Sequence, residues 1–325
     1  MEKKVVMTLM MMVLAGSLIA CQNTQENIEV IEFEELSETS EVSQTKESEG
    51  MGQKESTRMR YEDFLKGEEK IFFNQYMPTD YEGIRFEENK GYNLSELLAV
   101  LKAKYADIEI TPQTNYSYLD CGKDGIEELA FRWNGISKEG PEISTQVYII
   151  KDIEGKLECC YYYETWSRSD TNINCYGYVT SFGSNGASNH GYDAGYVDVK
   201  GKWNFIYYTE EEWNIDGLFW DETLSKLPEV AASRQYEGDI VLMTTRFKET
   251  LTDEDFYHME KYYSYYVDGV EEDVYSEGIY KEIFEEAGVQ TYRPEEIERM
   301  IEEKETSLGI TDEIKQGDKI IWEIV

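Results

Sequence analysis

The chain has 325 residues, 67 of them Asp or Glu against 31 Lys or Arg, so its formal net charge is −36, and 41% of its residues are hydrophobic and 14% aromatic. A surface this acidic repels phosphate backbones and anionic headgroups, which argues against nucleic-acid binding and against docking on a membrane through a basic face. The apolar fraction is ample for a buried core, so collagen-like, coiled-coil and wholly disordered classes fall away.

Lys3 and Lys4 form a positive start, Val5 to Leu14 is an almost uninterrupted apolar run, and Leu18-Ile19-Ala20-Cys21 follows a stretch of small residues. That order reads as a secretory signal over residues 1–20, shorter than a membrane span needs. Leu18 to Cys21 resembles the lipobox of bacterial lipoproteins. The resemblance implies cleavage before Cys21, a diacylglycerol on its thiol, and a mature protein held on the outside of the cell membrane by acyl chains. Residues 21–60 then turn polar, and from 22 to 60 there are four basic against ten acidic side chains and no Pro. Such a segment cannot bury enough apolar area to offset chain entropy, so it is predicted to be a disordered tether for a folded domain over 61–325.

In the folded part, Asn93 followed by Glu96, with Leu94, Leu97, Leu98 and Leu101 at helical spacing, predicts an N-capped helix ending near Tyr105. Runs rich in Tyr, Val, Ile and Thr then predict strands at Asn115–Leu119, Glu128–Trp133, Thr145–Lys151, Lys156–Tyr163, Tyr176–Ser181, Tyr196–Val199, Trp203–Tyr208, Ile240–Phe247 and Tyr262–Val267. Asp152-Ile153-Glu154-Gly155 sits between two of these runs as a hairpin turn. Helices are predicted over Val274–Ala287, stopped by Gly288, and Glu295–Ser307, entered through Pro294, with a last strand over Lys319–Val325. Strands in the middle with helices near both ends describe an α+β domain built on a predominantly antiparallel sheet.

Four constellations carry chemistry. In Asp120-Cys121-Gly122-Lys123-Asp124-Gly125-Ile126-Glu127-Glu128, the carboxylates of Asp120, Asp124 and Glu128 are candidate ligands for a weakly bound calcium, the glycines allowing the sharp bend; no other cofactor is indicated. The Asp-x-x-x-Asp-Gly-x-x-Glu-Leu pattern resembles turns of integrin-type repeat modules and of Gram-positive surface lipoproteins. The stretch Gly183 to Gly195 reads as a Gly/Ser/Asn-rich loop, in which Ser184, His190 and Asp193 are the residue types of a hydrolytic site. Cys121, Cys159, Cys160 and Cys175 read as mostly buried free thiols, the adjacent pair pointing to opposite faces of a strand. The aromatic excess includes Tyr161 to Tyr163, Trp166, Tyr192, Trp213 and the tyrosines from 262 to 266; Tyr162, Trp166 and Tyr192 are the candidate ligand contacts, because Tyr and Trp offer rigid apolar area with a polar tip.

Lipobox, acidic tether, the Asp-Gly-x-x-Glu-Leu turn, the Val147-Tyr148-Ile149-Ile150-Lys151 strand and the Gly-Ser-Asn-Gly-Ala segment together resemble surface lipoproteins of Gram-positive bacteria. The resemblance implies a location and no activity. The leading functional expectation is an anchored extracellular module that binds a glycan, a peptide or a cell-wall component. Two alternatives stand beside it: a surface hydrolase using the region around His190, and a structural partner in an envelope complex. A deep acidic cleft at His190 favours the enzyme, whereas a flat aromatic patch favours binding.

Overall fold

The structure, a computed structural model, describes residues 55–73, 86–87, 89–104, 113–137, 143–165, 167–184, 186–249 and 259–325. The lipobox with Cys21, the predicted tether up to residue 54, and Trp166 lie outside the described residues. Among these residues the fold is α+β: a seven-stranded and a six-stranded sheet, mostly antiparallel, with helices near both ends of the chain.

The first helix, α1, spans 55–65, so residues 55–60, read from sequence as the end of the tether, are helical. Burial fixes it there. Tyr61 and Phe64 are fully buried, and the Tyr61 hydroxyl donates to the Glu127 carbonyl (3.1 Å) while accepting from the Asp152 amide (2.9 Å). Two short strands, β1 (Ile71–Phe72) and β2 (Gly91–Tyr92), precede α2 (Leu94–Lys104). The predicted cap is present in both directions: Asn93 Oδ1 accepts from the Glu96 amide and Glu96 Oε2 accepts from the Asn93 amide. Two otherwise orphaned amides are thereby satisfied.

Strands β3 (Gln113–Leu119), β4 (Glu128–Ser137), β5 (Ile143–Ile153) and β6 (Lys156–Thr165) form an antiparallel meander. With β1, β2 and the final strand β13 (Glu323–Ile324) they make the first sheet, in the order β13-β3-β4-β5-β6-β1-β2, in which only β1 and β6 pair in parallel. The β5–β6 turn has Glu154 at φ 53° and Gly155 at φ 85°. Positive φ at both central residues is the twist a two-residue hairpin needs. One face of this sheet puts Leu129, Phe131, Tyr148 and Ile150 against α1 and α2. Within that layer the Phe131 and Tyr148 rings stack at 4.3 Å.

The other face, with Ala130, Val147, Ile149 and Cys160, packs on Val179, Val197 and Trp203 of the second sheet. That sheet runs β12-β11-β10-β9-β8-β7 from β7 (Ser169–Ile173), β8 (Tyr178–Ser184), β9 (Asn189–Val197), β10 (Trp203–Glu212), β11 (Asp239–Arg246) and β12 (Tyr262–Asp268). A 3-10 helix (Ile215–Trp220), α3 (Leu227–Ala232) and α4 (Ile279–Ala287) cover the β11–β12 part of the same face, burying Leu242, Tyr263 and Tyr265 against Ile283 and Phe284. Helix α4 starts five residues later than Val274, because the preceding segment is a turn in which Asp273 accepts from the Tyr275 amide. It ends on Gly288 in the left-handed conformation. The opposite face of the second sheet is covered at one end only. There α5 (Pro294–Ser307) and α6 (Asp312–Lys315) bury Ala194, Tyr196 and Ile206 beneath Ile310 and Ile314.

The segment predicted as a Gly-rich loop is instead the β8–β9 hairpin, with its turn between Ser184 and Asn189. Two of its glycines leave room for packing: a Cβ on Gly195 would stand 1.9 Å from the Trp203 ring and one on Gly191 would stand 2.6 Å from the Tyr208 hydroxyl. Glycine in a strand marks such close approaches as well as bends.

Phe64→Ala should therefore lower unfolding free energy by roughly 3–5 kcal/mol in a urea titration, by lost transfer energy plus a cavity. Phe182→Ala, at a position 49% exposed, should change it by no more than about 0.5 kcal/mol. Equal losses at both sites would contradict the placement of the core.

Candidate ligand-binding face

The three carboxylates of the 120–128 turn do not converge. Asp120 accepts from the Gly125 amide with both oxygens at 3.0 Å, Asp124 Oδ1 accepts from the Ile126 amide at 2.8 Å, and Glu128 points away from both into the protein. Glu128 is fully buried, pairs with Lys151 Nζ and accepts from the Cys121 amide at 2.6 Å. Removal from water pushes its carboxyl up to about 7 against the pull of Lys151. These groups are spent on the turn and on an ion pair, and among the described residues no three His, Cys, Asp or Glu side chains are placed to hold a metal.

The hydrolytic candidates are separated as well. His190 and Asp193 are three residues apart on β9, and an odd spacing in a strand sends side chains to opposite faces. Ser184 is the cross-strand neighbour of His190, but its hydroxyl donates to the Gly186 carbonyl at 2.7 Å. On the Asp193 side of the sheet lies a cleft lined by Asn189, Glu210, Glu212, Arg246 and Lys261, about 30 Å³ in volume, room for one or two waters. It is small, and His190 is across the sheet from it. Asn189 Nδ2 bridges its two glutamates, at 2.6 Å to Glu210 and 3.0 Å to Glu212.

Of the other sequence candidates, Tyr162 is a core residue, 3% exposed and 5.0 Å from the Tyr148 ring. Its neighbours Cys159 and Cys160 face opposite layers, the helical core and the second sheet. All four described cysteines are free, and burial holds the thiols of Cys121, Cys159 and Cys160 up, out of the reactive thiolate form.

Tyr192 is the candidate that reaches a surface with company. It faces the uncovered half of the second sheet, directly across from Phe182 on β8. One row further along, His190 is opposite Glu211 on β10, and Glu211 is opposite Met243 on β11. Glu211 collects hydroxyls from two strands: Tyr266 donates to Oε1 at 2.7 Å and Tyr192 to Oε2 at 3.2 Å. Trp213, just past β10, meets the Tyr266 ring edge to face, with centroids 6.0 Å apart and planes at 85°. Phe182 is 49% and Trp213 40% exposed, and Tyr192, Tyr266 and His190 are half-buried around the nearly buried Glu211. Desolvation and the neighbouring Glu211 both raise the Tyr266 and Tyr192 phenols, so they remain neutral donors. The face is thus an aromatic surface organised on one carboxylate, drawn from β8, β9, β10 and β12.

Trp213 and Tyr266 were visible in the sequence as part of the aromatic excess. Phe182 and Glu211 carried no signal, because their role depends on register across strands distant in the chain. Neither a protein-family model, nor a curated protein, nor a solved structure matches this chain.

Asp193, on the other face, supplies a pH test of the face assignment. Removal from water pushes its carboxyl up to about 6, against the opposing pull of the Ser181 hydroxyl and Arg246. The folded state holds this proton more tightly than the unfolded chain, whose carboxyl titrates near pH 4. Its stabilising contribution is therefore complete below about pH 4 and is lost as pH rises through about 6. Asp193→Asn should flatten the dependence of thermal midpoint on pH between 4 and 6; an unchanged slope would place Asp193 in solvent.

Proposed function

We propose that the protein is a binding module displayed outside the cell on a lipid anchor at Cys21, and that it takes a glycan or other cell-wall ligand on the open face of its second sheet. The observation that carries this reading is the exposed pair Phe182 and Trp213 flanking Tyr192 and Tyr266, which are held in place by Glu211. Large apolar groups left in water at one location mark interaction sites, and tyrosine and tryptophan suit sugars through an apolar ring with a polar tip. The hydrolase reading loses support from the opposite orientations of His190 and Asp193 and from the engaged Ser184 hydroxyl.

The full chain should sediment with purified Gram-positive cell wall, and the double variant Phe182→Ala, Trp213→Ala should bind about 30-fold or more weakly, as expected for loss of central aromatic contacts, with an unchanged thermal midpoint. Sedimentation unaffected by the double substitution would overturn the assignment of this face. For the anchor, metabolic labelling with a fatty acid should mark the wild type and spare Cys21→Ser; equal label on both would end the lipoprotein reading.

A further inference from the structure

Three buried acids of this protein are each paired with a lysine. Glu128 has Lys151, Asp221 has Lys261 at 2.7 Å, and Glu305 has Lys315 at 2.8 Å. Glu211, 8% exposed, forms no ion pair with any described residue; its partners are two tyrosine hydroxyls. His190, its cross-strand neighbour, makes neither a hydrogen bond nor an ion pair with it. A carboxylate withdrawn from water is costly unless it is paired, and two neutral donors fill only part of its acceptor capacity of about four lone pairs.

The rings on this face suit a cationic partner. Trp213 and Tyr266 stand nearly perpendicular. Coplanar rings make a shelf for a flat sugar, whereas perpendicular rings make a corner, the shape that surrounds a compact cation with negative ring faces. At a net charge of −36, the whole molecule draws cations toward such a corner and turns anions away. Resting on the binding reading above, we infer that the group recognised on this face is an ammonium, seated against Glu211, Tyr192, Tyr266 and Trp213. In a cell-wall setting an ammonium is carried by a de-N-acetylated amino sugar or by a quaternary choline substituent. Both offer a cation for Glu211 and C–H groups for the rings, and the N-acetylated sugar offers only the second.

The test titrates the full chain, in detergent, with a β-1,4-linked glucosamine tetramer, with its N-acetylated counterpart and with choline, read by tryptophan fluorescence and by shift of the thermal midpoint. Tighter binding of the free-amine tetramer by about tenfold or more over the N-acetylated one, with the preference erased in Glu211→Gln, supports the inference for the primary amine. Binding of choline in preference to both tetramers, again lost in Glu211→Gln, supports it for the quaternary source. If Glu211→Gln is unstable, Tyr266→Phe, which removes one donor to the carboxylate and keeps the ring, should narrow the preference by itself. Equal affinity for the two tetramers in wild type and variant overturns the ammonium inference while leaving the face as a glycan site. No response to any of the three also overturns it, and the cell-wall sedimentation of the Phe182 and Trp213 double variant then decides the binding reading separately.

Discussion

The position of α5 on the second sheet decides what the rest of this molecule can do, and one buried carboxylate sets that position. Glu305, 3% exposed, accepts from the Tyr178 hydroxyl on β8 at 2.7 Å and from Lys315 Nζ on α6 at 2.8 Å. Strand and both helices are tied at a single point. Charge-assisted hydrogen bonds of this kind contribute about 1.5–3 kcal/mol each and lose more when one partner is removed, because the other is left buried and unpaired. Around the node, Ile310 and Ile314 seal Ala194, Tyr196 and Ile206. The chain reverses at Gly309 and Asn174 takes up the end of α6 by donating to the Ile314 carbonyl at 2.6 Å. Helical cover therefore stops at the Tyr178 end of the sheet, and the end bearing Phe182, Tyr192 and Trp213 stays open.

Alternation along the strands does the rest. The same β9 sends Asp193, Gly191 and Gly195 toward the first sheet and the cleft, and His190 and Tyr192 toward solvent. A one-residue slip would bury the aromatic side and expose the acid, so the face is specified as strongly as the core beneath it. The glycines matter for this reason: Gly195 admits Trp203 and Gly191 admits Tyr208, and larger residues would force those rings out of the layer between the sheets. The buried Glu128–Lys151 pair plays a comparable part on the first sheet, reaching the region where Gly201 in the β9–β10 turn lies against the Lys151 stem and Cys160.

Much of the fold was legible because local chemistry and global structure agree. Asn93 with Glu96, Glu154-Gly155, Pro294 and Gly288 each mark a terminus or turn where the structure has one, and period-two runs located most of the long strands. What was not legible falls into two kinds. Helix α1 lies in a Glu/Ser/Thr-rich stretch whose helical state comes from Tyr61 and Phe64 docking on distant residues, a tertiary effect that local composition does not carry. Strand β9 was hidden by its own glycines, whose role as clearance for Trp203 and Tyr208 exists only once β10 is alongside. The site divides the same way. Tyr192 and Trp213 stood out as aromatic residues, but Glu211 is one acid among 67 until β9, β10 and β12 bring two hydroxyls to it.

Hydroxyl-radical footprinting of the full chain, with and without purified cell wall, addresses the central claim most directly, because it reports every exposed side chain at once. The account predicts loss of oxidation at Phe182, Tyr192, Trp213 and Tyr266 on adding cell wall, with Ile126 on the 120–128 turn and Ile321 near the C-terminus labelled as before. Protection at Ile126 or Ile321 with undiminished labelling of Trp213 would contradict it and move the binding surface to another part of the protein.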